Sequence, residues 1–452
     1  MAPRLWSWIL IGSAACRWGF DDVTATDAGV VVELDPTMVY RSVGPGRSGA
    51  LAAGGANVLR LTGSVATFAS ALPDDVGVGD AVEYDSNEDA QVDQLAFIHR
   101  RISSTQFLVG SEASTPPADA AATQTWAIHR AYTSLGAAIA GTPNAAVALP
   151  FDGWTGGADL VARQKVWNVA CYADAVDAPV EIMGWMTSPQ YYLRIYTPAD
   201  PSEVGAGQRH RGVWDPTKYQ IEARTGATST VIAASGMSLR LEGLQLFTNP
   251  IDLSRGLPYG VRIDNGGVTQ ISGNIIRGNR ASGPPTIPRG MFLPSSGTTL
   301  IWNNIIYDVG DATAGFCVEI KITGHSVFSN NTLANCGTKG LVTTSGTTVV
   351  ARNNLMLGCG VECASGPVAG SNNRTSDLTA ANAGIGSRLA SAIPADYFAA
   401  PGDFHIGATA LRRAELIGAG VDLSADPELP FDDDVDGDRR RAGWDLGADE
   451  AP

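Results

Sequence analysis

The chain has 452 residues, of which 44% are hydrophobic and only 17% charged, with 52 glycines and a formal net charge of −15. That much apolar material excludes wholesale disorder, and glycines without a three-residue period exclude a collagen-like rod. The excess of 46 acidic over 31 basic side chains argues against a nucleic-acid surface, which needs cations to neutralise phosphates.

Taken in chain order, residues 1–36 read as an export signal and linker. Arg4 precedes the apolar run Leu5 to Gly12, and small residues follow up to Cys16. The run is shorter than the roughly 20 apolar residues that cross a bilayer. No later segment is long and apolar enough to span a membrane. The small residues ahead of Cys16 resemble a bacterial lipoprotein cleavage site, although Ser13 stands where that motif usually has a large aliphatic. The resemblance implies a lipid anchor at Cys16 and a secreted or envelope-associated protein.

Residues 37–130 read as a small β-rich module. Val65 to Phe68, Ala81 to Tyr84, Leu95 to His99, Phe107 to Val109 and Trp126 to His129 are strand candidates. Gly, Pro, Asp and Ser divide them, and Ser111 to Ala122 reads as a loop. Within the module, Asp85, Asn87, Asp89 and Asp93 take positions 1, 3, 5 and 9 of a calcium loop. Ala90 replaces the turn glycine and Ala96 the bidentate glutamate, which excludes a helix–loop–helix hand. A looser Ca2+ site on a β loop is the expectation. Next, Ala131 to Ala140 is the best helix candidate, with Thr133 or Ser134 as N-cap. Such a helix suits the open end of a solenoid, where bare strand edges would invite pairing.

From residue 131 to 430 the pattern changes. Val180 to Ile182, Tyr192 to Tyr196 and the alternating run Leu239 to Leu246 read as strands. A short unit then recurs: apolar residue, polar or small residue, Asn, two apolar residues. Its marker asparagines are Asn274, Asn304, Asn331 and Asn354, with a degenerate copy at Asn373. Steps of about 20 to 30 residues fit single coils of a parallel β-helix, about eight or nine in all. Asn tolerates left-handed backbone, and its amide can bond the next Asn up the stack. Cys336 and Cys359 each lie five residues after their marker. Stacking at about 4.8 Å makes them neighbours, bonded or not.

The paired asparagines at 303–304, 330–331 and 353–354 resemble those of bacterial right-handed parallel β-helix repeat proteins, the pectate-lyase-like superfamily. So does the end of the chain, Asp434-Val-Asp-Gly-Asp438 through Trp444-Asp-Leu-Gly-Ala-Asp-Glu450, an acidic closing segment over 431–452. The resemblance implies an all-β right-handed parallel β-helix in an exported protein, with polysaccharide or cell-envelope glycan as partner. It does not by itself imply an enzyme.

The family's catalytic signatures are not reproduced. Ser326 breaks the Gly-His-Gly of its galacturonan hydrolases at Gly324-His325, and Glu319-Ile320-Lys321 precedes the histidine instead of following it. Glu319 and Lys321 both point outward from one strand. Beside His325 they either line a sugar groove or form an ion pair on a solvated face, and the second reading is favoured. The loop Gln208 to Asp215 offers His210 and Trp214 as sugar contacts, against a packed inter-coil loop. Asp432 to Asp438 is a second acidic string, which Arg439 to Arg441 would neutralise as a clasp. The sequence therefore reads as an exported non-catalytic glycan-binding or structural surface protein. The alternative is a polysaccharide lyase or glycoside hydrolase with a diverged site.

Overall fold

Apolar residues at alternate positions force each short strand to bury one face, and stacking coils is how the chain buries them all. The computed structural model describes residues 33–451, apart from 153, 155–157, 224–229, 249–257, 265, 281–286, 322–323, 345 and 391–392. The export segment and Cys16 lie outside the described residues. Three parallel sheets run the length of a right-handed β-helix, with nine, nine and seven strands. Unbroken inward columns fill the interior. In the first sheet Ile195, Leu241, Ile271, Ile301, Phe328 and Ala351 stack in register. In the second, Ile221, Leu246, Ile276, Ile306, Leu333 and Met356 do the same, and every member of both columns is fully buried.

The turn between the first and second sheets uses two adjacent residues for different tasks. The second of the pair is buried and builds a ladder. Asn274 donates its backbone N and Nδ2 to Asn304 Oδ1 (3.0 and 2.9 Å), 30 residues on. Asn304 does so to Asn331 across 27 residues, Asn331 to Asn354 across 23, and Asn354 to Asn373 across 19. Each Nδ2 also donates to a strand carbonyl, as Asn331 does to Ile301 O (3.1 Å). The first of the pair takes the left-handed conformation: Asn303, Asn330, Asn353 and Asn372 have φ between 50 and 58°. Gly243 and Gly273 fill this position in earlier coils. Gly243 accordingly divides the run Leu239 to Leu246 into the strands Leu239–Glu242 and Gln245–Thr248.

Cys336 and Cys359 lie in adjacent coils, where Gly360 N approaches Cys336 O (3.4 Å), but each is bonded elsewhere. The disulfides are Cys317–Cys336 and Cys359–Cys363. At the first end of the solenoid the helix Leu135–Ala140 starts at Ser134, whose hydroxyl accepts from Ala137 N, and buries Leu135, Ala138 and Ile139. Beside it Trp154, Trp167 and Trp185 stack, the latter pair 4.8 Å apart.

Two boundaries differ from the sequence reading. Met38–Val43 does not belong to the module; it pairs in parallel with Val166–Cys171 as the first strand of the solenoid. The module is inserted after it, an antiparallel eight-stranded sheet that also uses Ala52–Ala53, Leu59–Thr62 and Ala120–Thr123. The last of these lies partly in the expected loop, because Leu59 and Leu61 offer it a partner strand distant in sequence. Arg130 locks module to solenoid: it binds buried Asp80 (2.9 Å) and Asp174 (2.8 Å) and lies over Tyr172. The closing segment is likewise longer than 431–452. The last strand of the second sheet, Gly386–Arg388, ends the stack, and the chain then folds back along the outside.

That return is guided by the left-handed asparagines. Asn303 Nδ2 donates to Asp433 O, Asn330 to Asp445 O and Gly447 O, Asn353 to Val421 O and Asn372 to Ala419 O, all within 3.1 Å. Arg440 is the clasp, donating to Asn303 Oδ1, Gly447 O and Ala448 O and pairing with Glu450. The closing residues Phe398, Phe404, Val435 and Leu446 cover Ile275, Ile305, Tyr307 and Leu357 on the second sheet. Leu423, Leu429, Phe431 and Trp444 cover Leu300 and Val327 on the first.

The two asparagine roles predict different costs. Asn331→Leu leaves Asn304 N, Ile301 O and Ser329 O without this partner in a buried turn, at about 1–3 kcal/mol for each group. A loss of at least about 3 kcal/mol is expected from the denaturation midpoint. Asn372→Gly keeps the backbone conformation, removes the bond to Ala419 O, and should cost about 1 kcal/mol.

Candidate functional site

The third sheet carries aromatic and charged outward side chains that keep surface of their own. Val261, Met291, Val318 and Leu341 point inward and are fully buried. Between and before them run two outward columns. One is Arg262, Phe292, Glu319, Val342 and Ser365; the other is Tyr259, Arg289, Phe316, Lys339 and Glu362. Glycine or cysteine follows each member of the second column, at 260, 290, 317, 340 and 363. A Cβ on Gly290 would lie 2.5 Å from Ile306 Cγ2 and 2.6 Å from Cys317 O, so the strand's corner admits little bulk.

Glu319 sits at the centre of this face and is buried. Arg289 Nε donates to its Oε2, and Lys321 Nζ lies 2.9 Å from Oε1. Arg289 also donates to Tyr259 Oη (3.2 Å) and Ile287 O (2.9 Å). Its guanidinium is 4.9 Å from the Phe292 ring centre and 5.5 Å from that of Phe316. Tyr259 and Phe292 are in ring contact at 5.0 Å, and Lys321 Nζ is 5.5 Å from Phe292. Burial pushes the Tyr259 phenol above its ordinary range. Arg262 pairs with Asp264 (2.8 Å), and Lys339 with Glu362 (2.7 Å), which lowers the Glu362 carboxyl. Each acid of the face thus already has a cation. Acid–base catalysis on a glycosidic bond calls for two carboxylates flanking one bond, a different arrangement. What the face offers is half-buried rings among fixed charges, the chemistry that stacks on sugar rings and pairs with uronates.

Of the residues selected from sequence, Glu319 and Lys321 come together, and the others do not join them. His325 begins a first-sheet strand and meets Glu428 (3.1 Å). His210 is only 1% exposed, so its assignment as a sugar contact is corrected: the inter-coil loop packs inward. Trp214 lies edge-on to Phe247 at 5.8 Å, with Arg277 above both rings. Reasoning from residue types missed Tyr259, Arg289, Phe292 and Phe316. The recurring glycine or cysteine at the corner was the available signal.

The Asp85–Asp93 loop closes on its own backbone. Asp85 accepts from the amides of Asn87, Glu88 and Ala90, and Asp93 from Ser86 N and Oγ. Asn87 and Asp89 accept from Asp89 N and Gln91 N. Among the described residues, only His405, Asp436 and Asp449 bring ligand atoms of three such side chains within 4.8 Å of one another. In the closing string, Asp434 similarly accepts from Asp436 N, Asp438 N and Glu450 N.

Residues 253–391 match the family described as the right handed beta helix region, a span that contains the asparagine ladder and most of the open face. No curated protein matches the chain.

Two buried histidines set a pH dependence. Burial depresses His99 and His210 to about 3, from an ordinary 6.5. The unfolded chain takes up protons below pH 6.5 while the folded chain does not. The stability these residues contribute is complete above 6.5 and is lost as pH falls toward 3. Each should contribute roughly 2 kcal/mol to the loss between pH 7 and pH 5. Urea denaturation of His210→Gln should show a pH 7-to-5 difference smaller by that amount than in the unmutated protein.

Proposed function

We propose that the chain is an exported, non-catalytic glycan-binding protein whose ligand lies along the open face of the third sheet. The observation that carries this reading is the contrast between faces. In the later coils of the first two sheets, the outward apolar residues Leu300, Val327, Ile275, Ile305, Tyr307 and Leu357 are buried under the closing segment. Outward residues of the third, Arg262, Phe292, Phe316, Lys321 and Lys339, keep part of their surface exposed. Arg262 and Lys321 are each over a third exposed, placed to meet carboxylates of an acidic polysaccharide while the rings stack on sugar faces. The closed disulfides support an oxidising compartment. Export through the N-terminal segment, with lipid attachment at Cys16, belongs to the same reading.

One observation favours the alternative, a lyase or hydrolase with a diverged site: the buried Glu319 held between Arg289 and Lys321 is a carboxylate–cation set in the sugar-facing position. A glycan array with parallel detection of reducing ends and unsaturated products distinguishes them. We expect retention on an acidic polysaccharide with no products. Phe292→Ala and Lys321→Ala should each weaken retention by about 3- to 10-fold. Products that disappear in Glu319→Gln would replace the binding reading with the enzymatic one. Binding to no glycan at all would remove both.

A further inference from the structure

A second cluster of chemistry lies away from the third sheet, where the closing segment meets the loop before Trp214. His405 stands in the strand Asp403–Ile406, and its Nδ1 is 2.6 Å from Asp403 Oδ1. Its Nε2 faces Asp436 Oδ2 at 2.9 Å, and Asp449 completes a triad whose ligand atoms lie within 4.8 Å of one another. The triad is under-compensated. Asp436 Oδ1 is sealed from solvent without a hydrogen-bond donor. Asp449 is only 4% exposed and, among the described residues, takes one hydrogen bond, from Ile406 N to Oδ2 (2.6 Å). Three carboxylates, Asp403, Asp436 and Asp449, thus surround one imidazole. The nearby cation Arg440 is engaged by Glu450, Asn303 and backbone carbonyls.

The solenoid contributes a wall. Gly212 has φ of 64°, and a Cβ there would fall 2.6 Å from His405 Nε2 and 2.8 Å from Asp436 Oδ1. The bare backbone at this point leaves the space between imidazole and carboxylate free. A buried oxygen without a donor, a second buried acid and an imidazole already oriented by a carboxylate on its far nitrogen are the parts of a metal site with its outer support in place. The nitrogen donor selects the ion, since calcium and magnesium prefer all-oxygen ligands while imidazole with carboxylates suits zinc and its neighbours.

We propose that His405 Nε2, Asp436 and Asp449 bind one divalent transition-metal cation of zinc's class, with Asp403 as positioning residue for the imidazole. Bound there, the ion ties the strand Asp403–Ile406 to the last turns of the closing segment and replaces the proton shared by His405 and Asp436. This site is independent of the glycan face and of the Asp85–Asp93 loop.

The test uses the full folded protein, stripped with EDTA and titrated calorimetrically with zinc, calcium and magnesium chloride at neutral pH. One zinc ion per chain is expected, bound more tightly than calcium or magnesium, with a Tm that rises with zinc concentration. Asp436→Asn and His405→Gln should each weaken zinc binding about 10-fold or more. Asp403→Asn should weaken it about 10- to 100-fold without changing the stoichiometry. Asp85→Asn should leave the isotherm unchanged. Cobalt(II) added to the unmutated protein should give visible absorption bands of a nitrogen–oxygen site, which keeps the test decisive if a variant fails to fold. Absence of stoichiometric zinc and of the cobalt bands overturns the proposal. So does a preference for calcium, or an isotherm that His405→Gln and Asp436→Asn leave intact.

Discussion

A parallel coil must turn sharply between sheets while its turn backbone is being buried, and buried amides need partners. The asparagine ladder meets that constraint. Asn274 accepts from Leu244 N, and from Asn304 onward each marker side chain accepts two hydrogen bonds from the preceding coil's asparagine and donates to a strand carbonyl, so the turn's polar groups are satisfied from above and below. Because each rung's oxygen serves its neighbour, the coils hold a common register at this edge although their lengths shrink from 30 to 19 residues. The length differences fall elsewhere in the coil, and the inward columns remain unbroken.

The neighbouring left-handed residue decides what the outside of the molecule becomes. In the later coils it is asparagine instead of glycine, and its side chain turns outward to hold the returning chain. Glycine at those positions would supply the same backbone angle with no means of docking. The segment fastened there covers part of two sheets and none of the aromatic and charged columns described on the third. The location of the candidate binding face follows from the chemistry of a turn on the opposite edge.

The asparagine pairs made the solenoid legible, because one residue type recurs for one physical reason. The short helix was legible for the same kind of reason, with Ser134 as its cap. The open face was only half legible. Glu319 and Lys321 share a strand, but Arg289 and Phe292 reach them through a register that variable loops conceal. The pattern Tyr259-Gly-Val, Arg289-Gly-Met, Phe316-Cys-Val, Lys339-Gly-Leu is visible once the corner is known to exclude bulk. His210 misled because its neighbours are polar, whereas its own ring is buried. The triad of His405, Asp436 and Asp449 had no sequence signal, since the closing segment has no repeat to fix its path.

The insertion of the module after the first strand has a kinetic consequence. Asn168 of the second strand reaches Val39 O across 129 residues, and Asn303 reaches Asp433 across 130. The coil-on-coil pairings in the middle span no more than a few dozen residues, so those coils can assemble one on another as the chain lengthens. Both extremities require long loop closures whose entropy must be overcome before any contact offsets it. The molecule should therefore zip from its centre and fasten its ends last. Once fastened, neither extremity offers a loose coil from which unravelling could begin.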